Sequence, residues 1–184
     1  KYWLEINISP IFNDNNELIN FIAIESDITE KKRKDLNIAN LMASQNAIFN
    51  GVGYSVIFTD ANGTIKRINK AGLDLLEYTA DELINKLTPA VFHDPDEITK
   101  RAAELTEELG RKITPNIDVF VAKIKENDTA DSHEWTYISK SGKRIPVWLS
   151  FTCIKNTEGK VLGYLGVAED YTIKKQAELD LINA

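Results

Sequence analysis

The sequence contains very little metal-binding or redox chemistry. It has one cysteine, Cys153, and two histidines, His93 and His133. A single cysteine excludes an internal disulfide and a thiolate metal cluster, and two distant histidines lack zinc-site spacing. We therefore expect no metal site. Sparse cysteine is typical of a reducing compartment, so we expect a cytoplasmic location, whether or not the parent protein is anchored in a membrane.

The chain also lacks an excess of positive charge and any long apolar run. It has 22 basic and 28 acidic residues, with a formal net charge of −6. Without a basic stripe, nucleic acid is excluded as an expected partner. No apolar run approaches the roughly 20 residues that span a bilayer, so we expect no membrane contact. Because residue 1 begins inside a predicted strand, we interpret the chain as part of a longer protein.

Catalytic motifs are missing as well. The sequence has no G-x-S-x-G, phosphate-loop or H-E-x-x-H pattern. Carboxylate pairs such as Glu107 and Glu108 fall on the polar side of an amphipathic helix, which is typical of a solvated surface. The sequence therefore predicts no catalytic residue, and we expect this chain not to be an enzyme.

What the chain does have is an internal repeat. Residues 8–32 align without gaps with residues 151–175, and each copy is a strand, a polar turn, a strand, Asp-x-Thr and a charged run. The matched pairs include Asn13 with Asn156, Asp27 with Asp170, and Thr29 with Thr172. We interpret 1–29 as the last strands of a first domain, 30–49 as a connecting helix, 50–172 as a complete second domain, and 173–184 as the start of an exit helix.

The second domain has the pattern of an α+β fold. Two short strands come first, then several short helices beginning at Asn69, and then three long strands. His93-Asp94-Pro95-Asp96-Glu97 is a strong helix start, with Asp94 as cap and Glu97 at the capping-box position. This order predicts one five-stranded antiparallel sheet with helices on one face, and the last three strands paired as a meander.

The segments GVGYSVIFTDANGTIKRINKAGLDLLEYTADELINK (51–86) and WTYISKSGKRIPVWLSFTCIKNTEGKVLGYLGVAEDYT (135–172) carry a family resemblance. Their features are the position of Asn69, the aromatic-plus-helix run 78–83, the G-K-R hairpin and the Asp-x-Thr ending. In order and spacing, the chain resembles the PAS superfamily of bacterial multi-domain sensors. The resemblance implies a ligand pocket between sheet and helices, and an output domain outside this chain of the histidine kinase, diguanylate cyclase or chemoreceptor type.

Strand alternation and the resemblance together give the candidate pocket residues. These are Asn69, Trp135, Tyr137, Val147, Leu149, Phe151, Tyr164 and Ala168. Two interpretations stay open. We favour a largely filled core, since aromatic stripes are usually packing; the alternative is a small polar ligand held by the hydroxyls of Tyr137 and Tyr164.

The residues at these inner-face positions also indicate whether a cofactor is expected. In flavin-binding light-sensing relatives, polar amides point at the ring from places where this chain has Tyr137, Val147 and Ala168. Cys153 lies on a late strand and not on the helix where the photoreactive cysteine stands. His93 is the candidate haem ligand, but at a helix start it is interpreted as bonding the cap. We expect no flavin or haem; a light, redox or gas sensor using either remains a further alternative.

Two groups of residues would transmit a signal. The relay candidates are Asp27, Thr29, Lys143, Arg144, Asp170 and Thr172; the resemblance implies that Asp170 pairs with Lys143 or Arg144, and an ordinary helix cap is the alternative. The linker candidates are the stripe Ile38, Leu41, Gln45 and Ile48, at 3, 4, 3 spacing, and the outward Trp148. We expect a homodimer through the flanking helices, a fold-back of the stripe onto Trp148, or both.

The expected function is sensing or relay to the output domain; a structural spacer is the alternative.

Overall fold

A computed structural model describes residues 2–127 and 130–182. The chain forms two compact units, Lys1–Ile48 and Phe49–Ala184. The first unit contains β1 (Leu4–Phe12), β2 (Leu18–Asp27) and most of α1 (Thr29–Gly51). Helix α1 thus extends slightly beyond both ends of the helix predicted over 30–49. No described residue of α1 is buried.

The second unit contains five strands and the remaining helices. In chain order these are β3 (Ser55–Asp60), β4 (Ile65–Ile68), α2 (Lys70–Leu76), α3 (Ala80–Leu83), a 3-10 turn (Pro89–Phe92), α4 (Pro95–Leu109), α5 (Asp118–Asn127), β5 (Asp131–Ile138), β6 (Arg144–Lys155), β7 (Val161–Asp170) and α6 (Thr172–Ile182). The exit helix predicted over 173–184 is described to Ile182; residues 183 and 184 lie outside the described part.

The strands of the second unit form one antiparallel sheet in the order β4-β3-β7-β6-β5. The predicted α+β fold with a five-stranded antiparallel sheet is confirmed, and so is the meander of the last three strands. The first strand pair, β3 and β4, therefore joins the sheet beside the last strand, β7. This arrangement leaves β5 and β4 as the two edges.

The internal repeat is confirmed at the level of single hydrogen bonds. The side-chain oxygen of Asn13 accepts the N–H groups of residues 15 and 17, and that of Asn156 accepts those of residues 158 and 160. Asp27 lies opposite Leu4, and Asp170 lies opposite Val147. Both hairpins also carry an irregularity at the matching position, between residues 11 and 12 and between 154 and 155. The two sequence copies therefore build the same turn and the same register.

The sheet of the second unit buries the face that strand alternation predicts. Every residue assigned to this face is buried: Trp135, Tyr137, Ile145, Val147, Leu149, Phe151, Tyr164, Gly166 and Ala168. Helices supply the other half of the core through Ile98, Ala102 and Leu105 of α4 and through Val119 to Ala122 of α5. On the opposite face Trp148 is 43% exposed, and its ring lies 6.1 Å from that of Tyr171.

The helix termini follow local chemistry. Asp94 caps α4 by accepting the N–H of Asp96, Pro95 occupies the first turn, and Gly110 ends the helix with φ +63°. Glu97 does not form the predicted capping box; its carboxylate binds Thr136 on β5 instead. Within residues 2–127 and 130–182, none of the helices has the length and apolar character to cross a membrane.

Candidate functional site

A cavity of about 240 Å³ lies between the inner face of the sheet and the helices of the second unit. Its walls come from β3, the 3-10 turn, the start of α5, and the three long strands. The lining residues are Ile57, Thr59, Asn62, Thr88, Pro89, Ala90, His93, Asn116, Ile117, Phe120, Tyr137, Leu149, Phe151 and Gly166. The cavity counts against the interpretation of this region as a largely filled core, because the side chains of β5, β6 and β7 leave this space unoccupied.

The structure brings only part of the predicted pocket set to the cavity. Tyr137, Leu149 and Phe151 line it. The other strand candidates are not among the lining residues and belong to the surrounding core: Trp135, Val147, Tyr164 and Ala168. Tyr164 stacks on Phe151, with ring centroids 5.5 Å apart, so it packs against a wall residue without lining the cavity itself. Alternation identifies the inward face of a strand, but not which inward side chains another residue covers.

Asn69 is a structural residue. It is fully buried, and its side-chain oxygen accepts the N–H groups of Gly72 and Val56, both at 2.9 Å. Its amide nitrogen donates to the carbonyl oxygens of Tyr54 and Phe49. With both ends of the carboxamide engaged, Asn69 caps α2 and ties it to the start of β3. The prediction that it belongs to the pocket is wrong for this reason.

From the sequence, His93 was interpreted as bonding the helix cap, but it lies in the cavity wall. It is 3% exposed, and an isolated bridge pairs it with Tyr137 on β5. Its Nδ1 lies 2.9 Å from the carbonyl oxygen of Pro89, and Asp94 rather than His93 caps α4. Four aromatic rings surround it, from Phe92, Phe120, Trp135 and Tyr137, with centroids 4.8–5.5 Å away. Burial among these rings lowers the pKa of His93 to about 4, so the imidazole is neutral at pH 7.

Two side-chain atoms of the lining residues are buried without a hydrogen-bond partner among the described residues. They are Nε2 of His93 and Oγ1 of Thr59. Thr59 lies on β3 and is 1% exposed. Buried polar groups are nearly always paired, and leaving one unpaired costs about 1–3 kcal/mol. A signal for this was present in the sequence only as polar residues inside otherwise apolar segments.

The relay residues lie where the repeat places them, but their partners differ from those expected. The guanidinium of Arg144 pairs with Asp94, and this contact lowers the pKa of the Asp94 carboxyl. The carboxylate of Asp170 accepts the N–H of Thr172 at 2.9 Å. The predicted pair between Asp170 and Lys143 or Arg144 is wrong, because the register sets Asp170 opposite Val147 and Arg144 opposite Ile138. The alternative of a helix cap is what the structure has.

The same cap recurs in the first unit. The carboxylate of Asp27 accepts the N–H of Thr29, and hydrogen bonds from Thr29 lower the pKa of Asp27. The hydroxyl of Thr29 accepts the N–H of Trp3. Asp-x-Thr is thus one local motif, used twice to start a helix directly after a strand.

The linker stripe on α1 is exposed at Ile38, Leu41 and Ile48.

In the part of the chain that the structure describes, no group of three or more His, Cys, Asp or Glu side chains is placed to hold a metal ion. The cavity of about 240 Å³ is smaller than the roughly 300–1,000 Å³ of sites for drug-sized ligands. A flavin or haem ring system would need a larger space. The absence of either cofactor stays a prediction.

Comparison with known proteins decides the family. A family model described as "PAS domain" matches residues 1–30 and 53–172, which is most of the chain. The chain belongs to the PAS domain family. The two matched stretches each contain one copy of the repeat. The division of the chain into the end of a first PAS domain and a complete second one stays a prediction. Comparison with curated proteins found no match.

Solved structures agree on the PAS fold. A PAS domain from Colwellia psychrerythraea has a TM-score of 0.55 at 21% identity, over 71% of this chain and 96% of that one. A PAS domain from a two-component sensor histidine kinase has a TM-score of 0.53 at 13% identity, over 72% and 97%. An RNA-binding light-oxygen-voltage receptor has 0.56 at 13% identity, over 99% of this chain but 44% of that one. At these identities the likeness shows the fold alone.

Proposed function

We propose that this chain is a sensory PAS module in which occupation of the cavity biases the geometry of the exit helix α6. The observation that carries the proposal is the path from cavity to helix. Phe151 and Gly166 face each other on β6 and β7, and both line the cavity. Four residues after Gly166, Asp170 binds the first N–H of α6. A change in the cavity wall therefore has only the last four residues of β7 to cross before it reaches the start of α6.

The output is proposed to lie outside this chain, in a domain of the histidine kinase or diguanylate cyclase type. One structure with the same fold comes from a two-component sensor histidine kinase and another from a light-oxygen-voltage receptor. These relatives support signalling as the general role. Two-state relays of this kind need helix arrangements that differ by only a few kcal/mol, so that a modest ligand preference shifts the population.

The spacer alternative assumed a filled pocket, and the cavity counts against it.

The proposal also includes a homodimer formed through the helices that flank the PAS domain. Its support is the exposed apolar stripe on α1, in which Ile38, Leu41 and Ile48 are 51%, 64% and 68% exposed. Apolar stripes of this spacing commonly pack against a second helix.

The relay is tested by adding a methyl group to the cavity wall. A Cβ at Gly166 would lie 3.4 Å from Leu149 and 3.6 Å from Phe151, which is ordinary contact. We expect Gly166→Ala to change amide hydrogen exchange in the first turn of α6 by about threefold or more. The control is Gly53→Ala, where an added Cβ meets nothing within 4 Å, and which should leave α6 unchanged. If Gly166→Ala alters exchange only in β6 and β7, the relay is wrong.

A further inference from the structure

The cavity wall sets strict limits on the charge of an occupant. Of the residues the structure describes, fourteen line the cavity, and none carries a charge at pH 7. Most of the exposed wall is apolar, with Ile57, Phe120, Leu149 and Phe151 as the main contributors. Moving an unpaired ion into such a site is strongly unfavourable. A charged occupant is therefore excluded by the wall, whereas an uncharged and mainly apolar one is favoured.

The hydrogen-bonding character of His93 limits the occupant further. Its Nδ1 lies within 2.9 Å of the Pro89 carbonyl oxygen, which can only accept, so Nδ1 carries the proton. In a neutral imidazole the other nitrogen, Nε2, is then an acceptor. Nε2 has no partner among the described protein groups. What this atom lacks is a donor, from an O–H or N–H group.

Thr59 offers a second, less demanding contact. Its Oγ1 is likewise buried without a partner, on the β3 side of the same cavity. A hydroxyl both donates and accepts. It can therefore bond a second polar atom of an occupant, distinct from the group that would bind His93. Both atoms are almost completely buried, so neither is hydrogen-bonded to bulk water.

The volume limits the size. An apolar cavity of about 150 Å³ binds benzene. This cavity, at about 240 Å³, has room for one aromatic ring with a few further atoms. The aromatic rings of Phe120, Tyr137 and Phe151 along the wall favour a flat, aromatic body.

We propose that the cavity binds an uncharged, ring-sized molecule that donates a hydrogen bond to Nε2 of His93, with the Thr59 hydroxyl available to a second polar atom where the molecule has one. This inference rests on the sensory function proposed above, since it names the class of molecule that the module would detect. Simple phenols and aromatic N–H compounds belong to this class. Aromatic carboxylates do not.

The experiment measures the binding of three probes of similar size: phenol, toluene and benzoate. Each is titrated by NMR into the wild-type chain and into His93→Phe, which keeps an aromatic ring but removes the acceptor. We expect the phenol-to-toluene affinity ratio to fall about fivefold or more in His93→Phe, the scale of one hydrogen bond. We expect benzoate not to bind. An unchanged ratio, no binding of phenol by the wild type, or benzoate binding as tight as that of phenol overturns the proposal.

A second measurement needs no variant at position 93. Because the chain has only two histidines, ring ¹⁵N spectra of histidine-labelled protein are simple, and His133→Gln assigns the signals. Phenol should move the Nε2 resonance of His93, toluene should leave it nearly unchanged, and the His133 signals should not respond. An Nε2 resonance that ignores phenol overturns the proposal even if His93→Phe fails to fold.

The outcomes separate this inference from the relay. Phenol can bind at His93 while Gly166→Ala leaves α6 unchanged; the ligand class then stands and the relay fails. The converse result, a response of α6 without donor-dependent binding, keeps the relay and overturns the ligand class. A hemin titration serves as a counter-test, because an absorbance change that depends on His93 would assign the histidine to a metal and overturn the proposal.

Discussion

The carboxylate of Glu97 binds Thr136 twice and thereby closes the edge of the PAS sheet. One oxygen accepts the Thr136 N–H and the other accepts its hydroxyl, both at 2.6 Å. The carbonyl of Thr136 accepts the N–H of Asp94 at 3.1 Å. Thr136 lies on β5, an edge strand, and edge strands with unpaired backbone groups invite pairing with other chains. Residues at the start of α4 therefore satisfy backbone groups of this edge strand that a further strand would otherwise bond.

We expect Glu97→Ala to lower the free energy of unfolding by about 2 kcal/mol, because it leaves the Thr136 N–H without an acceptor and removes two charge-assisted hydrogen bonds. Glu107→Ala on the exposed side of the same helix is the control and should change stability by less than about 0.5 kcal/mol. Urea unfolding followed by circular dichroism measures both. Equal losses in the two variants would show that the Thr136 contact contributes nothing specific.

Local chemistry explains why much of the fold was predictable. Asn13 and Asn156 each organise their turn through side-chain bonds to residues two and four positions on. Asp-x-Thr starts α1 and α6 through contacts within two residues. Such motifs act over a few positions, so they can be read from the sequence. Strand alternation likewise gave the buried face of the sheet.

The candidate site was less predictable because it depends on contacts distant in sequence. His93 becomes a cavity residue only through its bridge to Tyr137, 44 positions later. Arg144 reaches Asp94 across 50 positions, and no local pattern distinguishes this from the expected pair with Asp170. The cavity itself is volume that side chains leave unfilled. Periodicity records which residues face inward, but not whether their summed volumes fill the space.

Acid should destabilise the second unit through His93. Burial lowers the pKa of His93 to about 4 from its ordinary 6.5, so the unfolded chain binds a proton at higher pH than the folded chain does. Its stabilising contribution is therefore complete above pH 6.5 and is lost progressively as the pH falls toward 4. Between pH 7 and pH 5 we expect a loss of about 2 kcal/mol from this residue.

The measurement is urea unfolding at pH 7, 6 and 5, with His93→Phe expected to flatten the pH dependence. The charged groups beside His93 are Asp94 and its partner Arg144, and burial raises the pKa of the neighbouring Tyr137, which stays neutral. His133, whose pKa burial also lowers, is the control through His133→Gln, with a smaller effect because it is partly exposed. A steep slope that persists in His93→Phe would rule His93 out as its cause.

We expect the chain to form a homodimer through α1, and a single charge on the stripe to weaken it. Leu41, 64% exposed, is the central stripe residue, so Leu41→Glu should raise the dimer dissociation constant at least about tenfold, the effect of losing roughly 1.5 kcal/mol of apolar contact. Ala43→Glu adds the same charge about 200° round the helix and is the control. Light scattering measures both, and a wild-type monomer at high concentration would refute the dimer.

The carboxylate of Asp170 accepts the N–H of Thr172 at the start of α6. We expect Asp170→Ala to lower global stability by only about 1 kcal/mol, the typical value of such a cap. Its main effect should be local, with faster amide exchange over residues 172–175, since a terminal turn opens without unfolding the sheet. Asp170→Asn keeps an acceptor oxygen and should preserve both stability and exchange.

The two Asp170 variants also separate a structural cap from a relay element. In the parent protein, Asp170→Ala should alter the output while Asp170→Asn leaves it close to wild type, because the direction in which α6 leaves β7 depends on the acceptor and not on the charge. Asp27→Ala makes the same change at the start of α1, where the carboxylate accepts the N–H of Thr29. Equal outputs from Asp170→Ala and Asp170→Asn, with a collapsed melting temperature only in the alanine variant, would make Asp170 a cap that carries no signal.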